Sequence, residues 1–191
     1  MIGMARPKSF DSDAALDAAI GVFREHGFEG TSAQMLVDAM GIGRQSLYDT
    51  FGDKWLLYQR ALRRYSQDEI GAHRAAMTSG ARAIEGLHAM IDRVVADAAL
   101  PCLGVGSIAE FGCSRPELAE ISGAADRALR RAVIAQVEAA QEQGDVAADI
   151  DPDTVATYMV ASFAGIRIAA RAGAGPAQMR ALGEMTKRAL R

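Results

Sequence analysis

Residues 41–54, Gly41-Ile42-Gly43-Arg44-Gln45-Ser46-Leu47-Tyr48-Asp49-Thr50-Phe51-Gly52-Asp53-Lys54, restrict the possible folds of this chain more than any other stretch. A glycine-flanked turn leads into a short helix in which Leu47 and Phe51, four apart, share the inner side. Arg44, Gln45, Ser46, Tyr48 and Thr50 then face outward. A helix enters the major groove only when its inner side is fixed to a scaffold and its outer side reaches base edges and phosphates. Arg44 and Gln45 stand at the helix start, where Arg can pair bidentately with guanine and Gln with adenine. Ser46, Tyr48, Thr50 and Lys54 are hydroxyl or cationic groups suited to phosphate oxygens, which set register without carrying sequence information.

The preceding residues complete a unit. Thr31-Ser32 supplies an N-cap for a helix from Ala33 to Met40, with Leu36 and Ala39 inward, and Gly41 ends it. Ser32, at that helix start, joins the DNA-facing set. Leu16, Ala19, Ile20 and Phe23 mark one face of an earlier helix from near Asp11 to Gly27. Three helices, two of them joined by Gly-Ile-Gly, make a helix-turn-helix.

Phe23 to Gly27, Thr31-Ser32, the Gly-Ile-Gly turn and Ser46-Leu47-Tyr48-x-x-Phe51-x-x-Lys54-x-x-Leu57 resemble the N-terminal domain of TetR/AcrR-type transcriptional regulators. The resemblance implies a DNA-binding domain over residues 1–54 and a ligand-binding and dimerisation domain over 55–191. It further implies a homodimer on a double-stranded DNA operator, usually a repressor, from which a small-molecule effector releases it by moving the two reading helices apart. Three positions depart from the family pattern. Gly43 stands where a capping Ser or Thr is common, at a cost of about a few tenths of a kcal/mol. Thr50 replaces a commoner His or Tyr. Asp49 is repulsive near phosphates unless it accepts from a cytosine amino group or pairs with a neighbouring cation.

Net charge does not advertise nucleic acid. Residues 1–54 hold five basic and eight acidic groups, a net of −3. Except for Arg24, the basic groups fall on the N-terminal arm and at the reading helix, whereas most acids map to the first helix and its flanks, and local field governs encounter. Arg6-Pro7-Lys8 reads as a flexible DNA-directed arm or a solubilising tail.

The 191 residues are half hydrophobic and poor in aromatics. Abundant alanine with sparse β-branched runs favours an all-α fold of about nine helices. No apolar run is long enough to cross a bilayer and Met1 to Phe10 lacks a signal core, so the expected location is the cytoplasm. Cys102 and Cys113 have neither zinc spacing nor a reason to form a structural disulfide. His26, His73 and His88 are scattered. No metal or cofactor is expected.

After Lys54 the pattern reads as consecutive helices: about Asp53 to Met77, a fifth carrying Ile84, Leu87, Met90, Ile91, Val94 and Val95, then Pro116 to Gln143, Pro152 to Gly173 and Pro176 to Leu190. Between the fifth helix and Pro116 lies a short apolar piece from Cys102 to Gly112, weakened as a helix by Gly104, Gly106 and Gly112. It is either tightly packed backbone or a movable wall beside a ligand.

The ligand-facing set expected from these patterns is His88, Cys102, Glu110, Phe111, Tyr158 and Met159. His88 lies among Ile84, Leu87 and Ile91, facing a cavity or the core edge. Glu110 either orients a cationic or hydroxylated ligand or is simply solvated. Val155, Met159, Ser162, Phe163, Ile166 and Ala170 recur at helical spacing, and Val155, Ser162, Phe163, Ile166 and Ala170 are expected at a two-fold seam.

Cys102 is either a small buried hydrophobe or, as in some regulators that the chain resembles, an electrophile- or oxidant-sensing thiol. A contrasting function class is a helical thiol-dependent enzyme using Cys102 or His88. It lacks an evident orienting base and leaves the first 57 residues unexplained. A regulator with no catalytic residue is the expectation.

Overall fold

The computed structural model describes residues 10–190, which contain nine α-helices and no strand. The Arg6-Pro7-Lys8 arm lies outside the described residues. The first three helices are α1 (Ser12–His26), α2 (Ala33–Met40) and α3 (Arg44–Phe51). Asp11 caps α1, its carboxylate accepting from the amides of Asp13 and Ala14, and the Ser32 hydroxyl accepts from Met35 N at 3.2 Å to start α2. Gly41, with φ 63°, closes α2 in the left-handed conformation that glycine adopts without steric cost. In α2 the inward pair is Leu36 and Met40, while Ala39 is exposed. The larger apolar side chain, one position on, takes the place expected for the alanine.

The remaining helices are α4 (Lys54–Met77), α5 (Ala83–Ala96), α6 (Leu103–Phe111), α7 (Pro116–Glu142), α8 (Pro152–Arg171) and α9 (Pro176–Arg188). Asp53 caps α4 through Leu56 N at 2.8 Å, and Asp151 caps α8 through Thr154 N. Prolines stand in the first turns of α7, α8 and α9, where the missing N–H breaks no bond. The glycine-interrupted segment forms a helix, α6, despite Gly104 and Gly106.

Two apolar cores result. One joins α1, α2 and α3 to Leu57, Tyr58, Ala61, Leu62 and Tyr65 of α4, and takes in Leu103 of α6 and Leu118 and Ile121 of α7. The other lies among α5, α7, α8 and α9, around Leu87, Met90, Ile91, Val133, Val137, Met159 and Phe163. The long helix α4 thus belongs to the N-terminal core over its first half and leaves it over its second, so it bridges the two bodies rather than beginning after a boundary.

This packing corrects the expected seam. Val155, Phe163 and Ile166 are buried within the protomer's own core, and Ser162 and Ala170 are half-buried beside it. Helix α8 has apolar character on more than one side, and its larger side chains face α5, α7 and α9. The outward stripe lies instead on Tyr158 and Ile168, with the exposed small residues Ala161, Gly165 and Ala172 between and after them. On neighbouring α9, Leu182 and Met185 are also exposed. These four large apolar residues expose between 38% and 58% of their surface, unusual for a helix pair otherwise buried against a core.

Candidate nucleic-acid interface and ligand cavity

Helix α3 is anchored by Leu47 and Phe51, both buried, while Arg44, Gln45 and Tyr48 are exposed and Ser46 and Thr50 are half-exposed. Arg60 of α4 lies over the Phe51 ring and donates to the Thr50 carbonyl at 3.2 Å, fixing the C-terminal end of α3. Asp49 accepts a hydrogen bond from Gln45 Nε2 at 2.8 Å, one turn away on the same face. The carboxylate is therefore occupied by an amide donor. Gln34 and Asp38 make the same i,i+4 pair on α2.

Acidic groups of the N-terminal unit are partly neutralised away from α3. Arg64 of α4 approaches Asp13 and Asp17 of α1 at 3.7 and 3.5 Å, and Asp68 at 3.2 Å. These are exposed pairs of small energetic weight, but they leave the field of α3 to Arg44.

Lys54 does not point to a phosphate. Its ammonium donates to the carbonyls of Phe28 and Thr31 at 2.8 and 2.9 Å and sits 4.1 Å from the centroid of the Phe28 ring. It pins the α1–α2 turn to the start of α4. Glu110 holds the same turn from the opposite side: its carboxylate accepts from Phe28 N at 2.9 Å and Glu29 N at 2.7 Å. Gly27 makes room for this contact. It adopts φ 69°, and a Cβ there would lie 3.0 Å from Glu110 Oε2. Turn 27–31 is thus clamped by a cation on its carbonyls and an anion on its amides.

Phe111, next to Glu110, enters an aromatic joint rather than a cavity. It contacts Phe28, Trp55 and Tyr58, with ring centroids 5.6–5.8 Å apart. Both end residues of α6 that the sequence directed toward a ligand therefore bind the DNA-reading unit.

Two cavities flank α6, and Cys102, Val105 and Arg167 line both. One, of about 470 Å³, lies between α1, α6 and the end of α8, with Arg24, Tyr58, Gly106 and Glu110 on its walls. The other, about 220 Å³, is a groove open to solvent between α4, α6, α7 and α8 and is mostly apolar. Of the expected ligand set, Cys102 reaches both cavities and Glu110 only the larger. His88 lies toward α9, within electrostatic reach of Glu184. Met159 is fully buried in the core, and Tyr158 is exposed on the outer face of α8.

The polar wall of the smaller cavity is built from residues the sequence reading did not assemble. Glu69 binds Arg93 at 2.8 Å and Arg167 at 3.1 Å, and Arg93 also lies 3.3 Å from His73 Nδ1. Burial works to raise the Glu69 pKa, but the hydrogen bond and charge of Arg93, with Arg167 behind it, hold it below the usual carboxylate value. His73 stacks on Phe163, and burial, aided by Arg93, lowers its pKa to about 4. It is neutral at pH 7. These four polar residues come from α4, α5 and α8, with up to 98 residues between partners. Helical spacing brings no such group together.

The TetR family model, described as bacterial regulatory proteins of the tetR family, matches residues 15–61. A second, described as the tetracyclin repressor-like C-terminal domain, matches residues 80–184, more than half of the chain. The chain belongs to the TetR family of transcriptional regulators. It is a DNA-binding transcriptional regulator with a helix-turn-helix reading unit. The uncharacterised HTH-type regulator YezE of Bacillus subtilis is 36% identical over 165 residues, covering 82% of this chain and 84% of that protein. The HTH-type transcriptional repressor ComR of Escherichia coli is 27% identical over 175 residues, covering 88% and 83%. A cysteine-substituted CifR, solved with 26-base-pair operator DNA, superposes with a TM-score of 0.84 at 28% identity, over 97% of this chain and all of that one. No described helix is long and apolar enough to cross a membrane.

Proposed function

We propose that this regulator is a cytoplasmic homodimeric repressor that binds a palindromic operator through α3 and releases it when a small molecule occupies the cavity among α4, α6, α7 and α8. The observation that carries the reading is the divided face of α3: Leu47 and Phe51 lock it to the scaffold while Arg44, Gln45 and Tyr48 stand exposed together. Arg44 and Gln45 are the base-reading pair, with Ser32, Ser46, Tyr48 and Thr50 positioned for the backbone. ComR is a named repressor and CifR is solved on operator DNA, which supports the same role here.

A second copy of the chain covers the stripe of Tyr158, Ile168, Leu182 and Met185. Two α3 helices related by a two-fold axis then meet half-sites one helical turn, or a multiple of it, apart. A ligand shifts this equilibrium only through its differential affinity for two states. Helix α6 supplies the path, since one of its faces walls the cavity and its last turn grips turn 27–31 through Glu110.

Reversible binding is favoured over a reactive thiol. The cations nearest Cys102 in the cavity walls, Arg24 and Arg167, are engaged with the Pro101 carbonyl and with Glu69. Its hydroxyl neighbour Tyr65 keeps its proton, because burial raises its pKa. The bases of the same cavity, His73 and Glu69, are both engaged by Arg93 rather than by the thiol.

Fluorescence anisotropy on an operator duplex tests the orientation of α3. Arg44→Ala weakens specific binding by about 1–3 kcal/mol, the worth of a bidentate base contact, with dimerisation unchanged. Unaltered affinity at near-physiological salt would remove α3 from the interface.

A further inference from the structure

The smaller cavity contains one polar group that the fold leaves unsatisfied. Tyr65 is 8% exposed, lines this cavity, and its hydroxyl is buried without a hydrogen-bond partner. The group beside it is the Cys102 thiol, a weak acceptor at best. A buried O–H left without an acceptor is unfavourable, so an acceptor delivered there recovers a corresponding stabilisation. Burial raises the pKa of Tyr65, which keeps the hydroxyl a donor.

The remaining lining decides what else the ligand must be. Arg167 is engaged by Glu69, which also binds Arg93, and Arg93 in turn approaches Asp97 at 3.7 Å. The charges of this wall are mutually compensated, so an ionic ligand would lose hydration without meeting an unpaired counter-charge. Asp126, the other ionised lining residue, is exposed to water. A guanidinium only donates, so His73 Nδ1 accepts from Arg93 and the neutral ring carries its proton on Nε2. Ile70, Val105, Leu129, Val160 and Phe163, with the exposed Ile108 at the rim, line an apolar groove of about 220 Å³ that is open to solvent on one side. An apolar cavity of about 150 Å³ is enough to hold benzene.

We propose that this cavity takes a neutral, single-ring ligand bearing one strong hydrogen-bond acceptor, a carbonyl oxygen, seated on the Tyr65 hydroxyl. The ligand class rests on the reading of this cavity as the effector site. Because the hydroxyl is covered, the acceptor reaches it as the first turn of α6 shifts. That turn is held by the buried Leu103 side chain but not at its cap: Cys102 makes no side-chain capping bond, and at Gly104 a Cβ would meet only the Cys102 sulfur, at 3.8 Å. The same short helix carries Glu110 at its far end, so seating the ligand and loosening turn 27–31 become one motion.

The test is calorimetric titration of the full-length protein and of Tyr65→Phe with four probes of similar size: acetophenone, ethylbenzene, benzoate and benzylamine. Tyr65→Phe removes a hydroxyl that bonds to nothing in the free protein, so the variant folds normally. The parent binds acetophenone about fivefold more tightly than ethylbenzene, the worth of one net hydrogen bond, and the ratio falls to about one in Tyr65→Phe. An equal ratio in both proteins, no binding of acetophenone, or tightest binding of benzoate or benzylamine overturns the ligand class. Adding the same probes to the operator complex separates the two readings. Tyr65-dependent binding of acetophenone with no loss of operator affinity upholds the ligand class and overturns the cavity as effector site. Release by a charged probe alone does the reverse.

Discussion

His73 shows how a single residue here trades solubility of charge for packing. Its ring is stacked on Phe163 and faces Arg93, and its pKa is lowered to about 4, first by burial and then by that guanidinium. The unfolded chain, with an ordinary histidine near 6.5, takes up a proton over a range in which the folded chain does not. Stability from this residue is complete above about pH 6.5 and is lost as pH falls toward 4. Between pH 7 and pH 5 the loss is on the order of 2 kcal/mol. Urea unfolding at the two pH values checks it: His73→Gln, which keeps an acceptor for Arg93, flattens the dependence. A parent whose stability is the same at both pH values would show that the ring is solvated. Glu69 adds to the fall only at lower pH, since its pKa is itself held below the ordinary carboxylate value.

At the scale of elements, the notable construction is turn 27–31, gripped by Lys54 at the start of α4 and Glu110 near the end of α6. Two of the four cavity-forming helices, α4 and α6, are thereby tied to the DNA-reading unit. Glu110→Ala frees the amides of Phe28 and Glu29, raises their hydrogen-exchange rates, and weakens operator binding about fivefold while leaving the oligomeric state intact. Unchanged exchange at those amides would show that the clamp does not hold the turn. Helix bounds were legible in the sequence, because Asp11, Ser32 and Asp53 stand at helix starts and Gly41 and the first-turn prolines are local signals. The clamp was not. Lys54 follows a reading helix and Glu110 follows an alanine, and neither position announces a partner 23 to 82 residues away. Nor could spacing sort the faces of α8. Val155, Phe163 and Ile166 repeat helically, as do Tyr158, Ala161, Gly165 and Ile168, and only the positions of α5, α7 and α9 decide which set is inside.

For the whole molecule, an exposed apolar stripe on α8 and α9 and a single reading helix per chain call for the same remedy, a two-fold partner. Ile168→Glu places a charge in that seam, gives monomers by sedimentation, and lowers operator affinity by the loss of the second half-site. Phe163→Glu would instead unfold the protomer, because that ring is in the core. A dimer that survives Ile168→Glu would place the interface elsewhere. Recovery of bound duplexes from a random DNA pool, at near-physiological salt, decides whether α3 reads a two-fold operator. The expected product is an inverted repeat with fixed half-site spacing, whose base preferences change in Arg44→Ala. A folded dimer that enriches no sequence, or only a single unrepeated half-site, would contradict that reading.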